Sequence, residues 1–288
     1  MLSKLYEYFI HGALVQGGSW GGPECFAHVP LATHALETAL WLSLASLAYY
    51  ALNIGDVIRG VKVKDAECKS SSAVEMVIDA LLGCVHFGMY LHLLYFKTNS
   101  KALIIVMLQP CHVILLLEGI AVVSRSKLGV KISLFILPAL IGTLLAMLFP
   151  DTSGLEQFLE EPSYWVQHYL IQAVPLYLLC RRNFQVARLC SLKTVFAGLW
   201  ILHTLHYTVY ELIDLLITVN VEFMLCPTGA MATIFDLLPP AILYPSYRTP
   251  LTAVVLMVAP CIAFCYIAVA RLLMAMTGAT EVKKGKKL

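Results

Sequence analysis

Seven apolar stretches, at about 33–53, 74–96, 102–123, 131–149, 163–180, 194–217 and 250–274, constrain this 288-residue chain more than any other feature. Each approaches or exceeds the ~17–25 residues a helix needs to cross the hydrocarbon core of a bilayer. Backbone amides and carbonyls inside lipid must bond within the chain, so spans are helices or a closed barrel. The short apolar–polar alternation of a membrane barrel is missing. Only 13% of the residues are charged, against about a quarter in a soluble domain. The expected fold is all-α, a polytopic membrane helix bundle of about seven transmembrane helices. It divides into a lumenal N-terminal segment (1–32), a seven-span domain (33–274) and a basic cytoplasmic tail (275–288). No internal repeat of the kind found in many transporters is visible. A formal net charge of +2 gives no reason to expect nucleic acid as a partner.

The basic residues alternate loop by loop. Sixteen of the 20 lysines and arginines fall on one side, including Arg59, Arg125, Arg181, Arg182, Arg188, Arg271 and the C-terminal lysines. Lys4, Lys97, Lys101 and Arg248 fall on the other. The positive-inside bias then predicts a lumenal N-terminus and a cytoplasmic C-terminus. The first apolar stretch, 5–15, is too short for a signal-peptide reading and contains Glu7 and His11; it suits an interfacial helix or a tail. The ending Lys284-Gly285-Lys286-Lys287-Leu288 fits either a dilysine retrieval signal for the endoplasmic reticulum or attraction to anionic lipid.

Topology sorts the cysteines. Cys25 and Cys226 fall outside the spans on the lumenal side, where one disulfide between them is possible and two unpaired thiols are the alternative. Cys68 and Cys190 fall in cytoplasmic loops. Cys180, beside Arg181 and Arg182, is a palmitoylation candidate or a passive interfacial residue. Cys84, Cys261 and Cys265 read as small apolar helix residues.

Polar chemistry at bilayer depth is sparse and concentrated. The third span carries Gln109-Pro110-Cys111-His112, with Cys111 about 15 Å from its lumenal start at the rise of a helix. Pro110 is expected to remove one backbone bond and bend the span around a cavity. The fifth span opens Tyr164-Trp165-Val166-Gln167-His168, and the sixth carries His203, His206 and Glu211. Three spans therefore bring polar groups towards one central slab. An ionisable group there is a functional-site hypothesis by default. A thiol beside an imidazole, with a third polar group to orient the ring, is the arrangement of nucleophilic catalysis. His206, Gln109 and Glu211 are the candidate orienters; Gln109, Gln167 and His112 are the candidate oxyanion donors. His86 and His92 read as structural, Glu75 and Asp79 as interfacial, and Glu118 as a deep acid in need of a partner.

Several short stretches resemble the transmembrane protein 164 family of lipid acyltransferases. They are Gly21-Gly22-Pro23-Glu24-Cys25, Leu108 to His112, Leu144 to Pro150, Trp165 to His168, Val174 to Leu179, His206, and Asn220 to Pro227. Gln109 stands where the family has Asn, and the last span matches poorly. The resemblance covers about 20–230 and implies transfer of a polyunsaturated acyl chain from a phospholipid to a lyso ether phospholipid, without coenzyme A. It implies Cys111 as nucleophile and His168 as its partner.

On that reading His168 takes the thiol proton, Cys111 carries the acyl chain as a thioester, and a lysophospholipid hydroxyl attacks it with His168 again as base. No cofactor or metal is expected. The rivals are a hydrolase using the same pair with water, a zinc-dependent seven-span hydrolase served by His203 and His206, and a seven-span receptor or transporter. The zinc reading is weakened by a last span without histidine.

Overall fold

The computed structural model describes residues 21–61, 72–99, 104–152, 155, 157–227, 229–243 and 245–277. The expected interfacial stretch 5–15, Cys68, and the end of the basic tail lie outside the described residues. Among those described, the secondary structure is helical, apart from one isolated bridge between Gly21 and Val219.

A short α1 (Pro23–His28) precedes α2 (Leu31–Ala51) and α3 (Ile54–Gly60). These two form a pair bent by 60° at Asn53, whose φ of 52° lies in the left-handed region. Next come α4 (Ala73–Asn99), a 3₁₀ turn (Ile104–Leu108) and α5 (Pro110–Val123). α6 (Lys127–Phe135), a 3₁₀ turn at Leu137–Ala139 and α7 (Leu140–Leu148) make one apolar run. α8 (Glu160–Leu189) is followed by α9 (Leu192–Leu205), a π-helical turn (His206–Tyr210) and α10 (Glu211–Ile217). A short α11 (Gly229–Phe235) and the long α12 (Arg248–Met276) complete the chain.

By length and composition α4, the run Lys127–Leu148 and α12 are able to cross a membrane, with α2 and α3 as a fourth span if the bent pair counts as one. The other three expected spans are helical but not simple. The stretch 102–123 is broken at Gln109. The stretch 163–180 lies inside the longer α8, and 194–217 is interrupted by the π turn. α8 continues past the expected stop at Arg181 because that guanidinium, only 5% exposed, has a buried destination. Its Nη2 donates to Asp79 at 2.7 Å and its Nη1 to the Ala121 carbonyl at 2.6 Å, while the Tyr177 hydroxyl donates to the same Asp79 at 2.8 Å. Asp79 is therefore a buried partner and not an interfacial charge.

Lys97 and Arg248 are likewise buried and ion-paired. With Arg181 they are inner cations, and the orientation argument rests on the remaining basic residues. Glu118 faces His86, Oε2 to Nε2 at 3.5 Å, both fully buried, with no hydrogen bond between them. His92 donates to Ser163 Oγ at 3.0 Å.

Helices meet where side chains are small, as packing in lipid favours. α12 turns Ala259, Ala263, Ile267 and Ala270 inward at helical spacing. A Cβ at Gly198 of α9 would stand 2.5 Å from the Phe135 carbonyl oxygen of α6, so only glycine allows that approach. α8 packs on α12, α5 and α7, which places its inner face at the centre of the bundle.

Removing one member of a buried ion pair costs about 3–5 kcal/mol, because the other charge is left unpaired. Arg181→Leu is expected to lower the unfolding temperature of the purified protein in detergent by that scale of stability, and adding Asp79→Asn to recover part of it. An unchanged unfolding temperature would show that the pair does not hold α4 to α8.

Candidate functional site

The break in the third span sets the position of the thiol. A residue before proline is pushed to extended backbone, and Gln109 has φ −54° and ψ 140°. Proline is tolerated at the first position of a helix, where its missing N–H is not needed. Pro110 thus starts α5; it does not kink a continuous span. Cys111 follows in the first turn, with its N–H the first one the helix offers. The Gln109 carbonyl accepts from the amides of His112 and Val113 at 2.9 and 3.1 Å. A helix N-terminus carries partial positive charge and favours a thiolate. Gln167 borders the same cavity as the Cys111 side chain. His112 Nδ1 stands 3.8 Å from the Cys111 sulfur.

α8 supplies the opposite face. Tyr164, Gln167, His168, Ile171 and Gln172 recur at helical spacing along it. His168 Nδ1 donates to the Tyr164 carbonyl one turn back at 2.6 Å. That bond fixes the tautomer and leaves Nε2 with its lone pair free. The Tyr164 ring lies 4.2 Å from the His168 ring, centroid to centroid, and its hydroxyl donates to the Ala146 carbonyl at 2.5 Å. Gln167 is 1% exposed, and its Nε2 has no conventional hydrogen-bond partner. Buried donors are normally satisfied, so an orphan amide bordering the cavity of a thiol is a donor held ready.

These groups line one cavity of about 240 Å³. Gln109, Cys111, His112, Gln167, His168 and His206 all border it, so the structure brings together six of the seven residues expected at the chemistry. Its apolar walls come from Ile141, Leu145, Phe149, Leu199, Leu202, Leu251, Val255 and Leu256. The cavity can take an apolar chain while presenting a sulfur, imidazoles and an amide at its polar side.

Glu211 is the exception. Its carboxylate accepts from Arg248 Nη2 at 2.8 Å, from His34 Nδ1 at 2.7 Å and from Thr38 at 3.3 Å. Arg248 also touches the His34 ring and lies 3.5 Å from Glu37, which accepts from Ser246 and Thr249. Glu211 therefore joins α2, α10 and α12 and does not orient His168. That orientation comes from the Tyr164 carbonyl, and not from His206 or Gln109 as the sequence suggested.

Three residues at the cavity have no role in the sequence reading. Lys97 and Glu160 form a 3.0 Å ion pair on its wall. Glu222 reaches it from the segment 218–227, with Oε1 3.4 Å from His206 Nδ1. Burial pushes the Glu222 carboxyl above the usual carboxylate range.

The segment is held at many points. Asp214 accepts from the amides of Val221 and Glu222, Asn220 bonds the Cys226 carbonyl and the Leu225 amide, and the Tyr247 hydroxyl donates to the Phe223 carbonyl. Cys25 and Cys226 form a disulfide across 201 residues. Gly21, at φ 138°, passes so close to the Thr218 carbonyl that a Cβ would stand 2.5 Å from it. Glu222 was hidden in sequence because the residues that aim it are 1 to 25 positions from it along both flanks. The signal that could have found it is its place between Asn220 and Cys226, both within a matched stretch.

His203 donates to the Trp41 carbonyl at 3.4 Å, away from His206. Among the described residues, no group of three or more His, Cys, Asp or Glu side chains is arranged to hold a metal ion.

A disulfide closing so long a loop is worth roughly 2–4 kcal/mol. Cys25→Ser and Cys226→Ser are expected to lower stability equally, with the double variant no worse than either, as read by thermal unfolding with and without reductant. Additive losses would mean that the two sulfurs act separately.

No solved structure matches the chain. A family model described as the TMEM164 family matches residues 31–268. That match runs beyond the short motifs and into the last span. With more than three quarters of its length aligned and a helical, multi-pass fold, the chain belongs to the TMEM164 family.

Proposed function

We propose that this protein is an intramembrane, coenzyme A-independent acyltransferase that moves a polyunsaturated acyl chain from a phospholipid to a lyso ether phospholipid. It works in the endoplasmic reticulum with its N-terminus lumenal. The observation that carries the reading is that Cys111 and His168 border one mainly apolar cavity, which the unpaired Gln167 amide also borders.

The Cys111 thiol gives its proton to Nε2 of His168, and the thiolate attacks the ester carbonyl of the donor lipid. The negative charge on the tetrahedral oxygen is met by the Gln167 amide and the Cys111 N–H, donors that need no rearrangement. The ester C–O bond breaks, the lysophospholipid oxygen takes the proton from His168, and the acyl chain stays on sulfur as a thioester. Apolar walls keep water from the thioester. A lysophospholipid hydroxyl then attacks it, and the thiol is restored.

Purified protein in liposomes with a labelled donor lipid tests this. Cys111→Ala should abolish both transfer and the protein-bound label. His168→Gln should slow labelling of Cys111 by about 10²–10⁴, the usual contribution of a positioned base, and His112→Gln by less. Normal transfer by Cys111→Ala would eliminate the covalent scheme, and a greater loss with His112→Gln would move the base to that residue. Label released to water at the same rate with or without lysolipid would make the protein a hydrolase.

A further inference from the structure

His206 and Glu222 set an imidazole against a carboxylate in the cavity that holds Cys111, on elements other than the one that bears His168. His206 opens a π-helical turn between α9 and α10. Such turns are rare and occur often at functional sites, because the extra residue re-aims a side chain. Here Nδ1 of His206 faces Glu222 Oε1 at 3.4 Å. Placed there, the carboxylate can accept from a proton on Nδ1 and leave Nε2 with its lone pair towards a ligand. Both side chains are partly open, 25% and 18% exposed, although neighbouring polar groups such as Asp214 and Arg248 are shut away. Glu222 and Cys111 border the same cavity, as does His206 at the start of the π turn.

The carboxylate is also held at a cost. Thr218 and Phe223, on either side of it, have φ of 54° and 56°. Left-handed backbone at non-glycine residues is strained and persists only where the surroundings over-determine it. The disulfide, Asp214, Asn220 and Tyr247 provide those surroundings. A strained segment clamped from all sides, with one acid directed into a cavity beside a nucleophile, is built for position.

We propose that His206, oriented by Glu222, binds and deprotonates the hydroxyl of the acceptor lipid, so that the two halves of acyl transfer use different bases. This rests on the acyl-thioester reading above and deepens it. His168 serves the thiol and the departing first lysolipid. In the second half the acceptor hydroxyl donates to Nε2 of His206. Its oxygen attacks the thioester carbonyl as its proton passes to that nitrogen. The C–S bond breaks, the new ester leaves, and the Cys111 thiolate recovers the proton from the imidazolium. No oxidant, metal or further reactant is needed. Glu222 is a positioning residue that stabilises the imidazolium; His206 touches the reacting hydroxyl. Two bases on separate elements let donor and acceptor be recognised on different walls, with the acyl chain shared between them.

The test separates the half-reactions. Protein in liposomes is first loaded from a labelled donor phospholipid without acceptor, then chased with lysophospholipid or with hydroxylamine. Hydroxylamine cleaves thioesters without help from a base. Glu222→Gln and His206→Gln are expected to load Cys111 within about twofold of the unaltered rate and to release label to hydroxylamine normally. Release to lysophospholipid should fall by about 10²-fold, within the range for loss of general base catalysis. An unaltered chase in both variants overturns the proposal. So does a parallel fall in loading, hydroxylamine release and chase, which would mark the pair as structural. If the unaltered protein acquires no label on Cys111, the thioester reading itself fails, and this inference with it.

Discussion

A proline cannot be preceded by a helical residue without strain, and in this protein that constraint falls inside the apolar stretch 102–123. The chain answers by ending one short turn at Leu108, extending through Gln109, and starting a new helix at Pro110. The thiol, the first free amide and the positive end of α5 are thereby brought to one point inside the bundle. A cysteine in mid-helix would have its amide tied to a carbonyl one turn back and its sulfur against neighbouring side chains. The rest of the site can be read as what is needed to face that exposed helix start.

Burial in an apolar bundle sets most of the charged groups against a partner. Arg181, Arg248 and Lys97 each lie against carboxylates, and His86 against Glu118. These pairs join α4 to α8, α2 to α10 and α12, and α4 to α5. The framework leaves few polar atoms unspent. Those that remain near the cavity, the Gln167 amide and the second nitrogens of His168 and His206, are the ones able to meet a substrate. The contrast between the fully engaged Glu211 and the partly open Glu222 shows the division within a dozen residues of sequence.

Much of this was legible in the sequence, and the failures are informative. Apolar runs fixed the helical class because lipid permits so few alternatives. Depth along three spans was enough to group Cys111, Gln167, His168 and His206. It did not distinguish Glu211 from Glu222, since depth says nothing about which way a side chain points. Glu211 bonds Arg248 directly after the π turn, an irregularity that no periodicity rule anticipates. Arg181 looked like the end of a span because its carboxylate partner, Asp79, is 102 residues away. The orienter of His168 was missed for a simpler reason: it is a backbone carbonyl of its own helix, available at every position and marked by none.

The bond between Cys25 and Cys226 also has a topological meaning. Two sulfurs oxidised together must occupy the same oxidising compartment, so the chain between them crosses the bilayer an even number of times. Six of the seven apolar stretches lie in that interval, an even number, so the bond is compatible with the expected count. The bond cannot close before Cys226 has been made and has reached the compartment that holds Cys25.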